Sequence, residues 1–172
     1  MPLTDLNFNK NMLSPTGFSF NIKKLPEFNF FVQNVTLPGV ALGTSDRPTP
    51  FKAIPVIGDH ITFGELNVTF KINEDLGNYI ELFNWIKGLG FPEDYKQYKD
   101  LADKPNYTGD GIYSDAYLLI MSSSMTPVVR VEIEDLFPTT LSDIDMNTQD
   151  ASIEYITATA SFRFTTYKFT SL

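Results

Sequence analysis

The most ligand-like spacing in the chain is Asp143-x-Asp145-x-Asn147, with Glu154 at the twelfth position. Alternating oxygen donors closed by a glutamate is the arrangement of an EF-hand calcium loop, where hard oxygens wrap one ion. Here Thr148 stands where that loop turns on glycine, Asp150 stands where it needs an apolar residue, and both flanks have the period of strands. The string therefore reads as a solvated acidic connection, and no metal is expected. His60, the one histidine, could join a Ser-His-Asp arrangement with Asp59 beside it. Sequence neighbours are not triad neighbours, however, and no Gly-x-Ser-x-Gly elbow is present. Glu74-Asp75 and Glu93-Asp94 could serve glycoside hydrolysis only across a cleft at a set carboxyl separation, and helix capping already accounts for the first pair. Gly88-Leu89-Gly90 follows an expected helix instead of opening one, so it cannot cradle a phosphate. With no cysteine, thiolate metal sites, Fe–S ligation, disulfides and a cysteine nucleophile are excluded. No catalytic, cofactor-binding or metal-binding residue is expected, and nothing argues for an enzyme.

The elements that carry these residues follow from composition and period. The 172 residues suit one domain spanning 1–172, and 42% hydrophobic content is enough to bury a core. A bias to Phe and Tyr over Trp, with many Thr and Val, favours strands. Net charge is −8 and uneven: residues 1–60 carry five bases against four acids, leaving −9 on the rest. From Glu132 to Glu154 there are seven acids and no base, so the clustered Lys and Arg that grip nucleic-acid phosphates are missing. Apolar runs stay short, as over Tyr117–Met121, far below the roughly 18 residues a membrane helix requires. No basic, apolar targeting segment opens the chain, so a soluble protein made in a cytoplasm is expected, and the sequons at Asn34, Asn67 and Asn106 carry no meaning.

Residues 1–17 read as a polar arm. Phe18, Phe20 and Ile22 alternate with Ser19, Asn21 and Lys23 as a half-buried strand, and Phe28–Thr36 reads as a strand buried on both faces. Over 40–60, Pro48, Pro50 and Pro55 exclude a central strand, so this stretch is expected to project as a long hairpin or arm. Its apolar residues Phe51, Ile54, Val56 and Ile57 have no evident core partner in the chain, so they are candidate contacts for another subunit, the alternative being a long loop packed on its own domain. Ile61–Ile72 alternates as a strand. A helix follows from Leu76, capped by Asn73 or Asp75, with Tyr79, Ile80, Phe83 and Ile86 facing the core and stop signals at Gly88 and Gly90. Residues 92–113 read as an inserted loop holding a helical turn near Glu93–Leu101. Strands at Ala116–Ser122, Val128–Ile133 and Ile153–Phe169 complete a mainly β fold: a two-sheet sandwich or barrel with one external helix and a long projecting hairpin.

This order resembles the tail tube proteins of contractile-tailed bacteriophages. The resemblance rests on the strand ending at Leu37-Pro38-Gly39, the arm, the strand Gly64–Ile72 running into Asn73-Glu74-Asp75, and the helix ending near Trp85. It rests further on Val131-Glu-Ile-Glu-Asp-Leu-Phe-Pro138-Thr139, Leu141–Asp145 and a long terminal strand with aromatics. Two features depart from the tube pattern: the insertion 92–113, and the segment Ser14–Phe18, which resembles a variant at one end of the tube. The resemblance implies homo-hexameric rings stacked into a hollow virion tail tube, with sheath and baseplate or neck proteins as partners and DNA passing without specific binding. It implies assembly in a host cytoplasm and no cofactor. A tube-initiator or terminator ring, or a type VI secretion tube ring, shares the fold. On this reading Arg47, Phe51, Ile54, Ile57 and His60 form the inter-subunit arm, and Glu132, Glu134, Asp143 and Asp145 are candidate lumen acids.

Overall fold

The computed structural model describes residues 12–90, 94–104, 111–147 and 155–172. The alternation at Phe18 becomes β1 (Phe18–Ile22), which buries Phe20 and Ile22. Pro26, expected to separate two strands, opens a short helix instead. In α1 (Pro26–Phe30) the proline sits in the first turn, where its missing N–H removes no helical bond. The doubly buried strand expected over Phe28–Thr36 is accordingly shorter: β2 (Val32–Thr36) lies at a sheet edge with Gln33, Asn34 and Thr36 exposed. Phe28 still reaches the core, from a helix. The Asn29 amide locks α1 to β1 by donating to the Ile22 carbonyl at 3.0 Å and accepting from the Ile22 N–H at 2.7 Å.

After the hairpin strands β3 (Val40–Pro48) and β4 (Ala53–Phe63) come β5 (Leu66–Lys71), helices α2 (Gly77–Gly90) and α3 (Tyr95–Ala102), then β6 (Ser114–Met121), β7 (Pro127–Leu141), β8 (Thr157–Arg163) and β9 (Thr166–Ser171). All strand pairs are antiparallel, and β7 joins two sheets. Its first half runs between β6 and β9, with β1 beyond β6; its second half pairs with β8, followed by β5 and β2. The bend between the halves falls at Asp135, whose φ is 57°, and the ladder with β6 loses register there. The single terminal strand expected over 153–169 is therefore two strands. Because β7 crosses from one sheet to the other, the chain beside it must break at Phe164 and Thr165; residues 153 and 154 lie outside the described residues.

The inward residues of β5 (Leu66, Val68, Phe70) and of its neighbour β8 (Phe162, Ala160, Ala158) line one wall of the core, with Phe28 against Phe70 at 4.5 Å between ring centres. The helix α2 closes this core on a face rotated from the one expected, with Tyr79 and Ile86 packed against the core as expected. Leu82 and Trp85 are buried, while Ile80 and Phe83 are 48% and 50% exposed. Two anchors set the rotation: Asn78 Nδ2 donates to the Lys71 carbonyl at 2.8 Å, and Trp85 Nε1 donates to the Ile112 carbonyl at 3.2 Å. Nor does Asn73 or Asp75 cap the helix; a turn from Asn73 to Leu76, with Leu76 at φ 54°, leads into Gly77. Gly88, expected as a stop signal, lies inside α2 under α3. A Cβ there would stand 2.5 Å from Leu101 Cδ1, so the glycine permits the two helices to touch. The helical turn expected near Glu93–Leu101 is α3, capped by Asp94, which accepts from the Lys96 N–H at 3.3 Å. Residues 92–113 thus carry a helix, α3, packed on α2, and residues 91–93 and 105–110 lie outside the described residues. Among the described residues no helix is long and apolar enough to cross a membrane.

One titratable group works against this packing. Burial, and next the nearby Glu27 carboxylate, push the Glu81 carboxyl above its ordinary value. Glu27 itself lies over the first turn of α2, its Oε2 2.8 Å from where a Cβ of Gly77 would stand, and Glu81 Oε2 is buried without a hydrogen-bond partner. The folded state thus binds this proton more tightly than the unfolded chain. Stability is expected to rise as pH falls through the raised pKa and to level off below the ordinary carboxyl value. Glu81→Gln should raise the melting temperature at pH 7 and flatten its pH dependence in that window. A lower melting temperature at pH 7 would show that the ionised carboxylate is favourable there.

Candidate assembly surfaces

Pro48, Pro50 and Pro55 keep residues 40–63 out of the sandwich, and the stretch forms a two-stranded sheet of its own. It pairs Val40 with Phe63 and Leu42 with Ile61, then slips register opposite Gly43 before pairing Thr44 with Ile57 and Arg47 with Ile54. Bare glycines make the slip possible, since a Cβ on Gly58 would stand 2.5 Å from the Gly43 carbonyl oxygen. Nearly every residue of both strands is exposed. Phe51, in the turn between them, is 99% exposed, and Ile57 82%. Arg47 and Ile54 share one face, Ile57 lies on the other, and His60 sits beyond the slip opposite Gly43, so the five arm residues point in more than one direction.

The hairpin is fastened to the body at its root. The Phe63 ring meets Phe164 and Tyr167 at 5.6 and 5.3 Å, and Tyr167 Oη donates to the Pro38 carbonyl at 3.3 Å. A two-stranded hairpin that buries no side chain of its own is marginal in water. One that also displays Val40, Leu42, Ile54, Val56, Ile57 and Ile61 presents the kind of apolar surface that marks an interaction site.

The four candidate lumen acids fall in two separate places. Glu132 and Glu134 lie on the outer face of the β1–β6–β7–β9 sheet, and both are paired. Arg130 Nε stands 3.1 Å from Glu132 Oε1, and Lys168 Nζ stands 2.6 Å from Glu134 Oε1, a contact that holds Lys168 above its ordinary pKa. Lys23 meets Asp115 at 2.7 Å on the same face, so charges there alternate in sign. Asp143 and Asp145 are exposed on the extended chain after β7, beside the Ser142 carbonyl that accepts from Tyr79 Oη at 3.0 Å. The calcium-loop-like string can be traced only to Asn147, since residues 148–154 lie outside the described residues.

Two further surfaces stand out. The outer face of the β7–β8–β5–β2 sheet is a field of hydroxyls and amides, where Asn67 accepts from Ser161 at 2.7 Å and Thr69 meets Thr159 at 3.3 Å. The alternation Thr157, Thr159, Ser161 signals it in the sequence. The exposed stripe of Ile80 and Phe83 has no such signal, because apolar residues surround more than half of α2.

No protein-family model and no curated protein matches the sequence. Solved structures match along nearly the whole chain. One is the sheath/tube terminator of an extracellular contractile injection system, PVC, in its extended state (TM-score 0.64, 10% identity, 95% of this chain and 99% of that one). A second is the tube-terminating cap of the anti-feeding prophage (0.62, 12%, all of both chains). A third belongs to the PVC sheath–tube complex in its extended state (0.60, 12%, 95% of each chain). At such identities the likeness is one of fold: the chain has a tail-tube-like fold, of the kind found in contractile injection systems.

Proposed function

We propose that this chain is a structural subunit of a contractile tail tube, closing into homo-hexameric rings that stack into a conduit. The observation that carries the reading is the hairpin Val40–Phe63, which stands wholly outside the core of a tube-type sandwich and displays apolar residues to solvent. Heterologous contacts that do not close on themselves generate filaments, and a projecting donor arm is suited to making them. The sheath and a baseplate or neck protein are the partners, the particle is a phage tail assembled in the host cytoplasm, and the protein is not an enzyme. Electron microscopy of the purified protein tests this: stacked tubes support a bulk tube subunit, and monomers at high concentration overturn the reading. A tube-end ring is the second reading, favoured by the likeness to a terminator and a terminating cap. Discrete rings that never stack would support it.

The cargo is the nucleic acid, passing without adhesion. With −8 net charge and its bases spread, the protein should show no measurable affinity for duplex DNA at physiological salt, whereas non-specific binders reach dissociation constants of roughly 10⁻⁴–10⁻⁶ M. Micromolar binding that weakens steeply with added salt would sink the sliding conduit. Asp143 and Asp145 are the acids to reverse, since Glu132 and Glu134 are already paired with cations. Changing both aspartates to Lys should slow DNA ejection while tubes still assemble.

A further inference from the structure

The strand register sets two apolar features at opposite ends of the β1–β6–β7–β9 sheet. At one end Ile133 pairs with Tyr167, whose hydroxyl reaches Pro38 at the hairpin root. At the other end Phe18 pairs with Ile120 and Val129 with Ser171. There the turn from β6 to β7 borders a depression of about 150 Å³ lined by Met12, Leu13, Ile120, Met121, Val128 and Val129, with three serines. Met12 is 91% exposed and Leu13 69%, so the lining is open to solvent. Phe51 at the hairpin tip is 99% exposed, with nothing packed on it among the described residues.

We infer that this depression is the receptor for the Phe51 ring of a second copy's hairpin. The inference rests on the tube reading above and names the surface that receives the arm. Three observations support it. A cavity of about this size in another protein takes up benzene, so the volume suits one phenyl ring. The hairpin root and the depression lie at opposite ends of one sheet, an arrangement suited to an open head-to-tail stack of copies. Both are free of net charge: the hairpin balances Arg47 and Lys52 against Asp46 and Asp59, and Ser122–Val129 has no charged residue. In a chain of −8, copies repel one another, and neutral contact surfaces avoid that repulsion at the junction.

The absence of native cysteine makes crosslinking a clean test. Two preparations, Phe51→Cys and Val128→Cys, are mixed in the full-length protein and mildly oxidised. The mixture should give a heterologous disulfide dimer that neither preparation forms alone, and the double variant should give a ladder of multimers. Val128→Asp should abolish stacking while leaving rings and the melting temperature unchanged. If that variant stacks like the wild type, or wild-type tubes form while the mixture gives no heterologous crosslink, the receptor assignment is overturned and the tube reading stands. If the wild-type protein forms neither rings nor tubes, the tube reading falls and this inference with it. Should Val128→Asp fail to fold, the crosslink decides alone.

Discussion

Deleting residues 44–57 should leave a chain that folds and melts like the parent but has lost all stacking. The cut is geometrically mild, because it joins Gly43 to Gly58, which already lie in contact across the register slip. None of the deleted residues belongs to the buried core, and the root contacts of Phe63 with Phe164 and Tyr167 stay in place. The hairpin therefore contributes almost nothing to the stability of the isolated subunit. The apolar surface of the deleted segment is available to a neighbour, where burial would be worth roughly 25 cal/mol per Å² before the costs of association. Sedimentation and electron microscopy of the deletion variant against the parent would read the effect. Tubes from the variant would show that another surface, such as the Ile80–Phe83 stripe, does the stacking.

Trp85→Ala should cost about 3–5 kcal/mol, the range for removing a large buried aromatic, whereas Phe83→Ala two residues away should cost less than about 1 kcal/mol. Trp85 is 2% exposed, joins the core with Leu82, lies under Lys24 Nζ at 4.9 Å, and donates its indole N–H to the Ile112 carbonyl. Its removal leaves both a cavity and an unpaired carbonyl. Phe83 is half exposed and has no comparable burial to lose. Denaturant melts of the two variants should separate clearly. Equal losses would place Phe83 in the folding core, as its helical spacing with Ile80 and Ile86 alone predicts.

The two helix residues show where legibility stopped. In β5 and β8 the period-2 pattern allows one assignment of the inner face, and Leu66, Val68, Phe70, Ala158, Ala160 and Phe162 are all buried as the alternation requires. In α2 apolar residues occupy more than half of the circumference, so two stripes compete and periodicity cannot choose between them. The choice falls to Asn78 and Trp85, whose hydrogen bonds reach Lys71 in β5 and Ile112 before β6. Likewise, Pro26 signals a break in either reading, and it takes the Asn29 lock onto Ile22 together with the burial of Phe28 to hold residues 26–30 as the helix α1.

Residue type and short-range spacing were enough for one set of properties. The missing cysteines, the −8 charge, the strand alternation and the proline-driven exclusion of residues 40–60 from the sandwich all belong here, and from these came the fold class and the arm residues Phe51, Ile54 and Ile57. The meeting of distant segments was settled by the folded chain alone. It runs β7 through two sheets, brings Arg130 and Lys168 to Glu132 and Glu134 so that the first two acids of that run sit on a balanced face, and sets an apolar depression at the end of the sheet away from the hairpin root. Alternation and proline act within a few residues of chain, so they can be read without knowing the fold. Charge pairing, sheet switching and surface shape instead depend on which strands are neighbours, and neighbours are chosen by burial of the whole core at once.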